Sequence, residues 1–176
     1  MKVLICAGGT GGGIYPALSA ATELQRLGVH SEDILWIGTR GEMEEQLVPR
    51  AGLKLEMISG GPVVSVPPHV MVKNGMKLIA SIGTAWRLIG RFQPDAMFMT
   101  GGYMAAPVTL AARLRRVPIT IYLPDVEPGS SIRFSLRFAE NVACTSPVSR
   151  PFVPPVHVVV IGYPVPTGLR ASGALS

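Results

Sequence analysis

The chain has little cysteine, fewer acidic than basic residues and no long apolar run, and each shortage excludes a class of protein. Its two cysteines, Cys6 and Cys144, lie in separate apolar runs without the paired spacing of a metal site, and its three histidines share no ligand spacing. We therefore expect reduced, buried thiols, no disulfide, no metal site and a cytoplasmic setting. The uncharged stretch at residues 78–86 is far shorter than the ~20 residues that span a bilayer, so no membrane-crossing segment is predicted.

Basic residues outnumber acidic ones, with 16 Lys and Arg against 11 Asp and Glu and a formal net charge of +5. This balance suits an anionic partner such as phosphate, nucleic acid or an acidic membrane surface. The 176 residues are 48% hydrophobic, which is enough for about one large domain with a buried core. The composition also leaves apolar surface for contact with an apolar partner.

Short apolar runs, typical of buried strands, alternate with segments of helical spacing. The predicted strands are residues 3–6, 34–37, 53–58, 96–99, 119–122, 142–144 and 156–161, and the predicted helices are residues 16–27, 42–51, 74–92, 105–116 and 131–139. This alternation predicts an α/β fold, a Rossmann-like doubly wound parallel sheet with helices on both faces, over residues 1–166. Residues 167–176 are small and polar, and we interpret them as a linker or an end segment.

Three turns that follow predicted strands carry glycine or acidic residues. They are "GGTGGG" at residues 8–13, "TGGYMAAP" at residues 100–107 and "YLPDVEPG" at residues 122–129. Because ligands of such sheets bind beyond the carboxyl ends of the strands, we expect all three turns to gather on one rim. Pro16 is predicted in the first turn of the helix that follows the first glycine turn, where its missing N–H costs nothing.

Glycines after a strand let a ligand approach backbone N–H groups, and the start of the next helix adds a partial positive charge. The candidate phosphate donors are the backbone N–H groups of Thr10, Gly11, Gly12, Gly101 and Gly102. The alternative is a tight turn that binds nothing. The spacing matches neither the dinucleotide fingerprint nor the nucleotide-binding loop that ends in Gly-Lys-Ser/Thr.

The predicted helix at residues 74–92 has two faces on a helical wheel. One stripe carries Lys73, Lys77, Arg87 and Arg91, and the opposite side carries Leu78, Ile79, Ile82, Trp86 and Ile89. The cations suit docking to anionic lipid headgroups, or equally a solvated face on a helix packed against the core. Both tryptophans, Trp36 and Trp86, lie on apolar faces and are predicted to be in the core.

Four motifs occur along the chain in a characteristic order. They are "AGGTGGGIYPALSAATELQRLG", "WIGTRGEMEEQLVPRAG", "TGGYMAAPVTLAARLRRVPI" and "VIGYPV". In this order they resemble the amino-terminal half of the MurG family of N-acetylglucosaminyltransferases, glycosyltransferase family 28, over about residues 2–166. The resemblance implies one half of an inverting GT-B enzyme, with the active site in the cleft between two Rossmann-like halves.

The resemblance also implies what such a half binds. The amino-terminal half of these transferases holds the polyprenyl-pyrophosphate-linked acceptor and lies peripherally on the inner face of the plasma membrane, on an anionic surface. A carboxyl-terminal half, in cis or in trans, holds the donor UDP-GlcNAc, so we expect no activity from this half alone. Neither a cofactor nor a nucleic-acid partner is implied, and the product is a lipid-linked precursor of the peptidoglycan cell wall.

The chain departs from the family pattern at several polar positions. Gly13 stands where the family has a histidine, and "YLPD" at residues 122–125 replaces His-Glu-Gln-Asn. Near the predicted hinge, Tyr163 replaces an asparagine and Pro166 replaces an arginine. These positions serve donor contact or proton handling in the family, so their joint change puts the usual chemistry in question.

Two carboxylates remain in the altered turn, and either one is a candidate base for the acceptor hydroxyl. Asp125, at the family's asparagine position, is preferred over Glu127, although an aspartate here also suits a turn cap before the next helix. The predicted substrate-binding residues are Thr10, Gly11, Gly12, Gly13, Gly101, Gly102, Tyr103 and Asp125.

Other functions fit the same residues. The chain fits a non-catalytic, membrane-anchoring subunit of a split glycosyltransferase, as in relatives that act on dolichol-linked sugars, or a transferase with a different acceptor. The lost histidines favour these alternatives. A general nucleotide or phosphate binder is the weakest alternative, because it does not explain four ordered motifs.

Overall fold

A computed structural model describes residues 1–9, 11–59, 68–102 and 104–164, and within these it describes no side chain of residues 68–76 or of residue 78. The proposed linker at residues 167–176 and Pro166 lie outside the described residues.

Seven parallel strands form one sheet in the order β3-β2-β1-β4-β5-β6-β7. They are β1 (Val3–Cys6), β2 (Ile34–Thr39), β3 (Lys54–Ile58), β4 (Ala96–Met99), β5 (Ile119–Leu123), β6 (Asn141–Cys144) and β7 (His157–Val160). The predicted parallel sheet is confirmed strand by strand. The order reverses between β1 and β4, which makes the gap beyond their carboxyl ends the topological switch point where such sheets bind ligands.

Helices cover both faces of the sheet. They are α1 (Gly11–Arg26), α2 (Glu44–Arg50), α3 (Pro68–Phe92), α4 (Ala105–Leu114) and α5 (Ser130–Ser135), with short 3₁₀ segments at Ser31–Asp33, Leu136–Phe138 and Pro147–Phe152. One core joins the sheet to α3, α4 and α5, and a smaller core on the opposite face joins it to α1 and α2. The doubly wound architecture predicted from the sequence is therefore confirmed.

The first helix begins earlier than predicted. It starts at Gly11, so Gly11–Gly13 form its first turn and Pro16 lies in the second turn. The prediction that Pro16 occupies the first turn is wrong. Glycine is a weak helix former, but Gly13 has a packing reason, because a Cβ there would lie only 3.2 Å from Oγ1 of Thr100 at the end of β4.

The two tryptophans have different environments. Trp36 on β2 is fully buried, as predicted, and its Nε1–H donates a 2.9 Å hydrogen bond to the carbonyl oxygen of Ala7. Trp86 on α3 is 44% exposed, so its predicted core position is wrong. The buried face of α3 carries the small residues Ser81 and Ala85, which let α3 pack closely on α4 and leave no room for an indole.

Replacing Trp36 should therefore cost much more stability than replacing Trp86. We expect Trp36→Phe to lower the free energy of unfolding by about 2–4 kcal/mol, because it leaves a buried carbonyl unpaired and opens a cavity. Trp86→Phe should change it by less than about 0.5 kcal/mol, since the site is at the surface. Urea denaturation followed by circular dichroism measures the free energy of unfolding of both variants. Equal losses of stability would contradict the buried position of Trp36 and the surface position of Trp86.

Candidate functional site

The two glycine turns touch each other backbone to backbone at the switch point. A Cβ on Gly102 would lie 3.0 to 3.2 Å from the backbone oxygen, nitrogen and carbonyl carbon of Gly8. Gly102 also has a φ of 103° and Gly101 a φ of 129°, conformations that side-chain-bearing residues rarely adopt. Only glycine therefore allows the turns after β1 and β4 to meet at this distance.

The third turn joins the same rim through the start of α5. The Ser131 hydroxyl donates a 2.9 Å hydrogen bond to the carbonyl oxygen of Gly102, and a Cβ on Gly101 would lie 3.2 Å from Cδ1 of Ile132. Residues 124–129 connect β5 to this helix. The prediction that the three turns gather on one rim is confirmed.

The position that carries the family's histidine lies between α1 and β4. Gly13 is buried, and its carbonyl oxygen accepts a 2.8 Å hydrogen bond from the Thr100 hydroxyl. A Cβ at this position would lie 3.2 Å from Oγ1 of Thr100, which is tighter than an ordinary contact. A histidine at position 13 would therefore require Thr100 to move. The glycine lets the first helix close onto the end of β4.

Glu44 is buried beneath the first glycine turn, and the sequence analysis did not identify it. Its Oε1 accepts a 2.9 Å hydrogen bond from the Thr39 N–H, and its Oε2 accepts a 3.4 Å bond from the Gly9 N–H. Glutamate in the first turn of a helix is common, so the sequence alone gives no sign that this side chain points inward. The only available signal was its place inside the second ordered motif.

Burial and the Glu44 charge shift the nearest titratable groups. Burial, with a smaller contribution from Glu44, raises the pKa of the Cys6 thiol well above its usual range. Desolvation, followed by the charge of Glu44, raises the pKa of Glu42. Cys6 is therefore a protonated thiol at neutral pH, and both cysteines are free and buried, as predicted from the sequence.

The two candidate bases are both exposed on the rim but differ in their partners. Glu127 accepts a 2.8 Å hydrogen bond from Nη2 of Arg133 in an exposed ion pair. Within the described ranges, no hydrogen-bond donor or cation pairs with the carboxylate of Asp125. Among the residues that the structure describes, Asp125 therefore has neither carboxylate oxygen paired, whereas Glu127 has one oxygen in an ion pair.

Tyr122, at a second histidine position of the family, serves the fold. Its ring is buried, its hydroxyl shares a 2.8 Å hydrogen bond with Oγ1 of Thr145, and it donates a 3.2 Å bond to the carbonyl oxygen of Gly162. Burial is the largest cause that raises the pKa of this phenol. The side chain links β5 and the end of β6 to the segment after β7, so it does not replace a histidine in proton transfer.

Several predicted site residues fall outside the description. Thr10 and Tyr103 lie outside the described residues, and so does the side chain of Lys73. The candidate donors that remain among the described residues are Gly11, Gly12, Gly101 and Gly102, and their two turns meet where Gly102 lies against Gly8.

The outer face of α3 differs from the helical-wheel prediction. Lys77, Arg87 and Arg91 are exposed as expected, but Ile79 is 71% exposed and lies on the outer side as well. The guanidinium of Arg115 lies 3.6 Å from the centroid of the Trp86 ring. Exposed cations and exposed large apolar side chains therefore both occur on α3, and we call the exposed residues Lys77, Ile79, Trp86, Arg87 and Arg91 the α3 outer face.

Three further findings concern the rest of the described chain. A hollow of about 150 Å³, lined in part by Lys54, Glu56 and Arg91, lies near the amino ends of β2 and β3, away from the rim. Among the residues that the structure describes, no helix is long and apolar enough to cross a membrane. In the same residues, no three His, Cys, Asp or Glu side chains group as metal ligands would.

Comparisons with known proteins agree with this geometry. The profile of the glycosyltransferase family 28 N-terminal domain matches residues 3–144. The UDP-N-acetylglucosamine–N-acetylmuramyl-(pentapeptide) pyrophosphoryl-undecaprenol N-acetylglucosamine transferase of Symbiobacterium thermophilum is 40% identical over 94% of this chain and 44% of its own length. The same-named transferase of Geotalea uraniireducens is 33% identical over 94% of this chain and 45% of its own length. The chain thus spans under half the length of these curated relatives.

A solved structure shares the same architecture. The crystal structure of Acinetobacter baumannii MurG superposes with a TM-score of 0.76 at 28% identity, over 90% of this chain and 44% of that one. Its likeness, together with the strand order, identifies the fold as the Rossmann-like half of a GT-B glycosyltransferase.

The contact between the glycine turns predicts a large difference between two glycine-to-alanine variants. Gly102→Ala should lower the free energy of unfolding by about 1–3 kcal/mol or more, because it adds a strained φ and a clash with the Gly8 backbone. Gly83→Ala, where a Cβ on α3 meets nothing within 4 Å, should raise it by about 0.5–1 kcal/mol. Thermal and urea denaturation test both, and a neutral Gly102→Ala would show that the turns do not touch.

Proposed function

The chain belongs to glycosyltransferase family 28, and from this premise we propose that it is the acceptor-binding half of an inverting transferase. The transferase moves N-acetylglucosamine from UDP-GlcNAc to a polyprenyl-pyrophosphate-linked sugar in peptidoglycan precursor synthesis, as the names of its relatives suggest. The observation that carries the proposal is the meeting of two glycine turns at the switch point of the sheet.

The acceptor pyrophosphate binds at the start of α1 in this proposal. The first N–H groups of a helix have no intrahelical partner. In α1 these are the N–H groups of Gly11, Gly12 and Gly13, which lie in its first turn. The helix dipole favours an anion at the same place, and the second glycine turn adds the N–H groups of Gly101 and Gly102. Backbone donors hold the phosphates without requiring a cationic side chain.

Asp125 is the base in this proposal. An acceptor hydroxyl must lose its proton as it attacks the donor sugar, and a positioned carboxylate can take that proton. Asp125 is exposed on the rim with a free oxygen, whereas the carboxylate of Glu127 is engaged by Arg133. The free carboxylate is therefore the better candidate.

The donor UDP-GlcNAc is held by a carboxyl-terminal half, in cis or in trans. Support comes from exposed apolar side chains that concentrate toward the end of the described chain, including Phe152, Ile161 and Tyr163. Apolar surface of this kind commonly marks a contact with another protein unit. This half alone lacks a donor site in the proposal and is inactive.

The α3 outer face docks on the membrane that carries the acceptor. Ile79, Trp86, Lys77 and Arg87 are all exposed on α3, and Leu114 at the end of α4 is 62% exposed. Apolar tips insert at a lipid interface while cations contact anionic headgroups. We place the protein peripherally on the inner face of the plasma membrane on these grounds.

A second candidate function is a non-catalytic subunit that anchors a separate donor-binding chain at the membrane. The observation that favours it is the loss of two family histidines, at Gly13 and at the buried Tyr122. A transferase with a different acceptor is consistent with the same changes. The two functions differ in whether Asp125 affects the rate of sugar transfer.

Replacing Asp125 tests the proposed base. The chain is fused to the carboxyl-terminal half of the Symbiobacterium thermophilum relative and assayed for transfer from UDP-GlcNAc to a prenyl-pyrophosphate acceptor. Asp125→Asn should lower kcat by about 100-fold or more with little change in acceptor KM, since it removes the base but not the phosphate donors. Glu127→Gln is the matched control and should change kcat less than about threefold. Equal rates in all three proteins would refute the base assignment and favour the anchoring subunit.

Charge reversal tests membrane docking. The double variant Lys77→Glu with Arg87→Glu should bind vesicles that contain anionic phospholipid at least about tenfold more weakly, because each cation near such a surface contributes ~1 kcal/mol. The control is Arg26→Glu with Arg50→Glu, which carries the same charge change on the helices of the other sheet face. Co-sedimentation with the vesicles measures both double variants. Equal binding by the two would show that the α3 outer face is a solvated surface that does not dock on the membrane.

A further inference from the structure

Glu44 is a buried carboxylate without a cationic partner in the described part of the chain. Among the described residues, its two oxygens accept hydrogen bonds only from backbone N–H groups, those of Thr39 and Gly9. A buried charge is costly unless it is well hydrogen-bonded, so a side chain of this kind needs a structural or functional reason. Thr39 is the last residue of β2 and Gly9 lies in the turn after β1, so the carboxylate connects the end of β2 to the first glycine turn.

Two glycines make room for this one side chain. A Cβ on Gly38 would lie 2.6 Å from Cγ of Glu44, and a Cβ on Gly8 would overlap its Oε1. Gly8 is also the residue whose backbone meets Gly102. Glu44 thus occupies the space directly behind the point where the two glycine turns touch.

The hydrogen bond to Gly9 divides the donors of the first turn into two groups. Gly9 has a φ of 83°, and its N–H is directed to Oε2 of Glu44, so this amide is not available to a ligand. The N–H groups of the first turn of α1, which begins at Gly11, remain free of intrahelical partners. The carboxylate therefore holds the turn at Gly9 and leaves the N–H groups from Gly11 onward available to a ligand.

The negative charge of Glu44 repels any anion bound nearby. Because of this repulsion, removing the charge has opposite effects on anion binding in two possible roles of the side chain. If the carboxylate acted on the ligand only through its charge, its removal would tighten binding of phosphates. If it acts by holding the turn, its removal would weaken binding despite the more favourable charge. We propose that Glu44 is a positioning residue that holds the first glycine turn in its anion-binding conformation. This inference rests on the proposed binding of pyrophosphate at the start of α1.

Calorimetric titration of the chain with inorganic pyrophosphate at fixed ionic strength tests the inference. Glu44→Gln should weaken pyrophosphate binding by about tenfold, the size expected for loss of one hydrogen bond to a charged group. Glu45→Gln is the matched control, because this neighbouring glutamate accepts a 2.8 Å bond from the Gly41 N–H in an exposed turn. The control should change the affinity by less than about twofold, although it removes the same charge.

The outcomes distinguish the inference from the function on which it rests. Unchanged or tighter binding by Glu44→Gln, with a wild-type chain that binds pyrophosphate, would overturn the positioning role and leave the proposed function intact. A wild-type chain that does not bind pyrophosphate would contradict the proposed function itself and the inference with it.

A measurement on the wild-type chain covers the case in which Glu44→Gln does not fold. Hydrogen exchange followed by NMR should find the Gly9 N–H protected before ligand is added and no better protected after pyrophosphate is added. The N–H groups of Gly11 and Gly12 should become protected only with pyrophosphate. A Gly9 N–H that exchanges freely until pyrophosphate binds would overturn the positioning role.

Discussion

The backbone contact between Gly8 and Gly102 is the constraint on which the rest of the site depends. It brings the turns after β1 and β4 together at the one place where the strand order reverses. A side chain at Gly102 would push the turns apart because it faces the backbone of Gly8, and a side chain at Gly8 would displace Glu44. The Thr100 and Ser131 hydroxyls then fasten α1 and α5 to this junction.

The site consists mainly of oriented backbone rather than charged side chains. In the proposed function, the start of α1 and the second glycine turn supply N–H donors, and the buried carboxylate of Glu44 holds the first turn through its bond to Gly9. Arg133, a cation at the rim, is engaged by Glu127. We propose that such a rim binds phosphate oxygens and leaves the carboxylate of Asp125 for proton transfer.

The sequence predicts the strands well because most are short apolar runs, a property of the strand's own residues, and β1 and β2 are buried along their whole length. The start of α1 and the face of Trp86 depend instead on packing partners elsewhere in the chain. Gly13 lies in the first turn of α1 close to Thr100 at the end of β4, and the small residues of α3 face inward where α4 packs. Glu44 escapes prediction because its partners are backbone N–H groups, one at the end of β2 and one in the turn after β1.

The family resemblance suggests the acceptor and the donor of the proposed reaction. The structure gives a physical reason for two of the positions at which the chain differs from the family pattern. Gly13 closes the first helix onto Thr100, and Tyr122 is bonded to Thr145 and Gly162. A side chain at position 13 would lie close against Thr100, and the side chain at position 122 is buried within the fold.

The central claim is that the joined glycine turns bind the acceptor pyrophosphate. The most direct measurement is an NMR titration of the chain with geranyl pyrophosphate, which carries the same diphosphate on a short prenyl tail. The account predicts amide shift changes centred on Gly11 to Gly13 and on Gly101 and Gly102. Changes confined to the α3 outer face, or to the hollow beside Lys54 and Arg91, would contradict it.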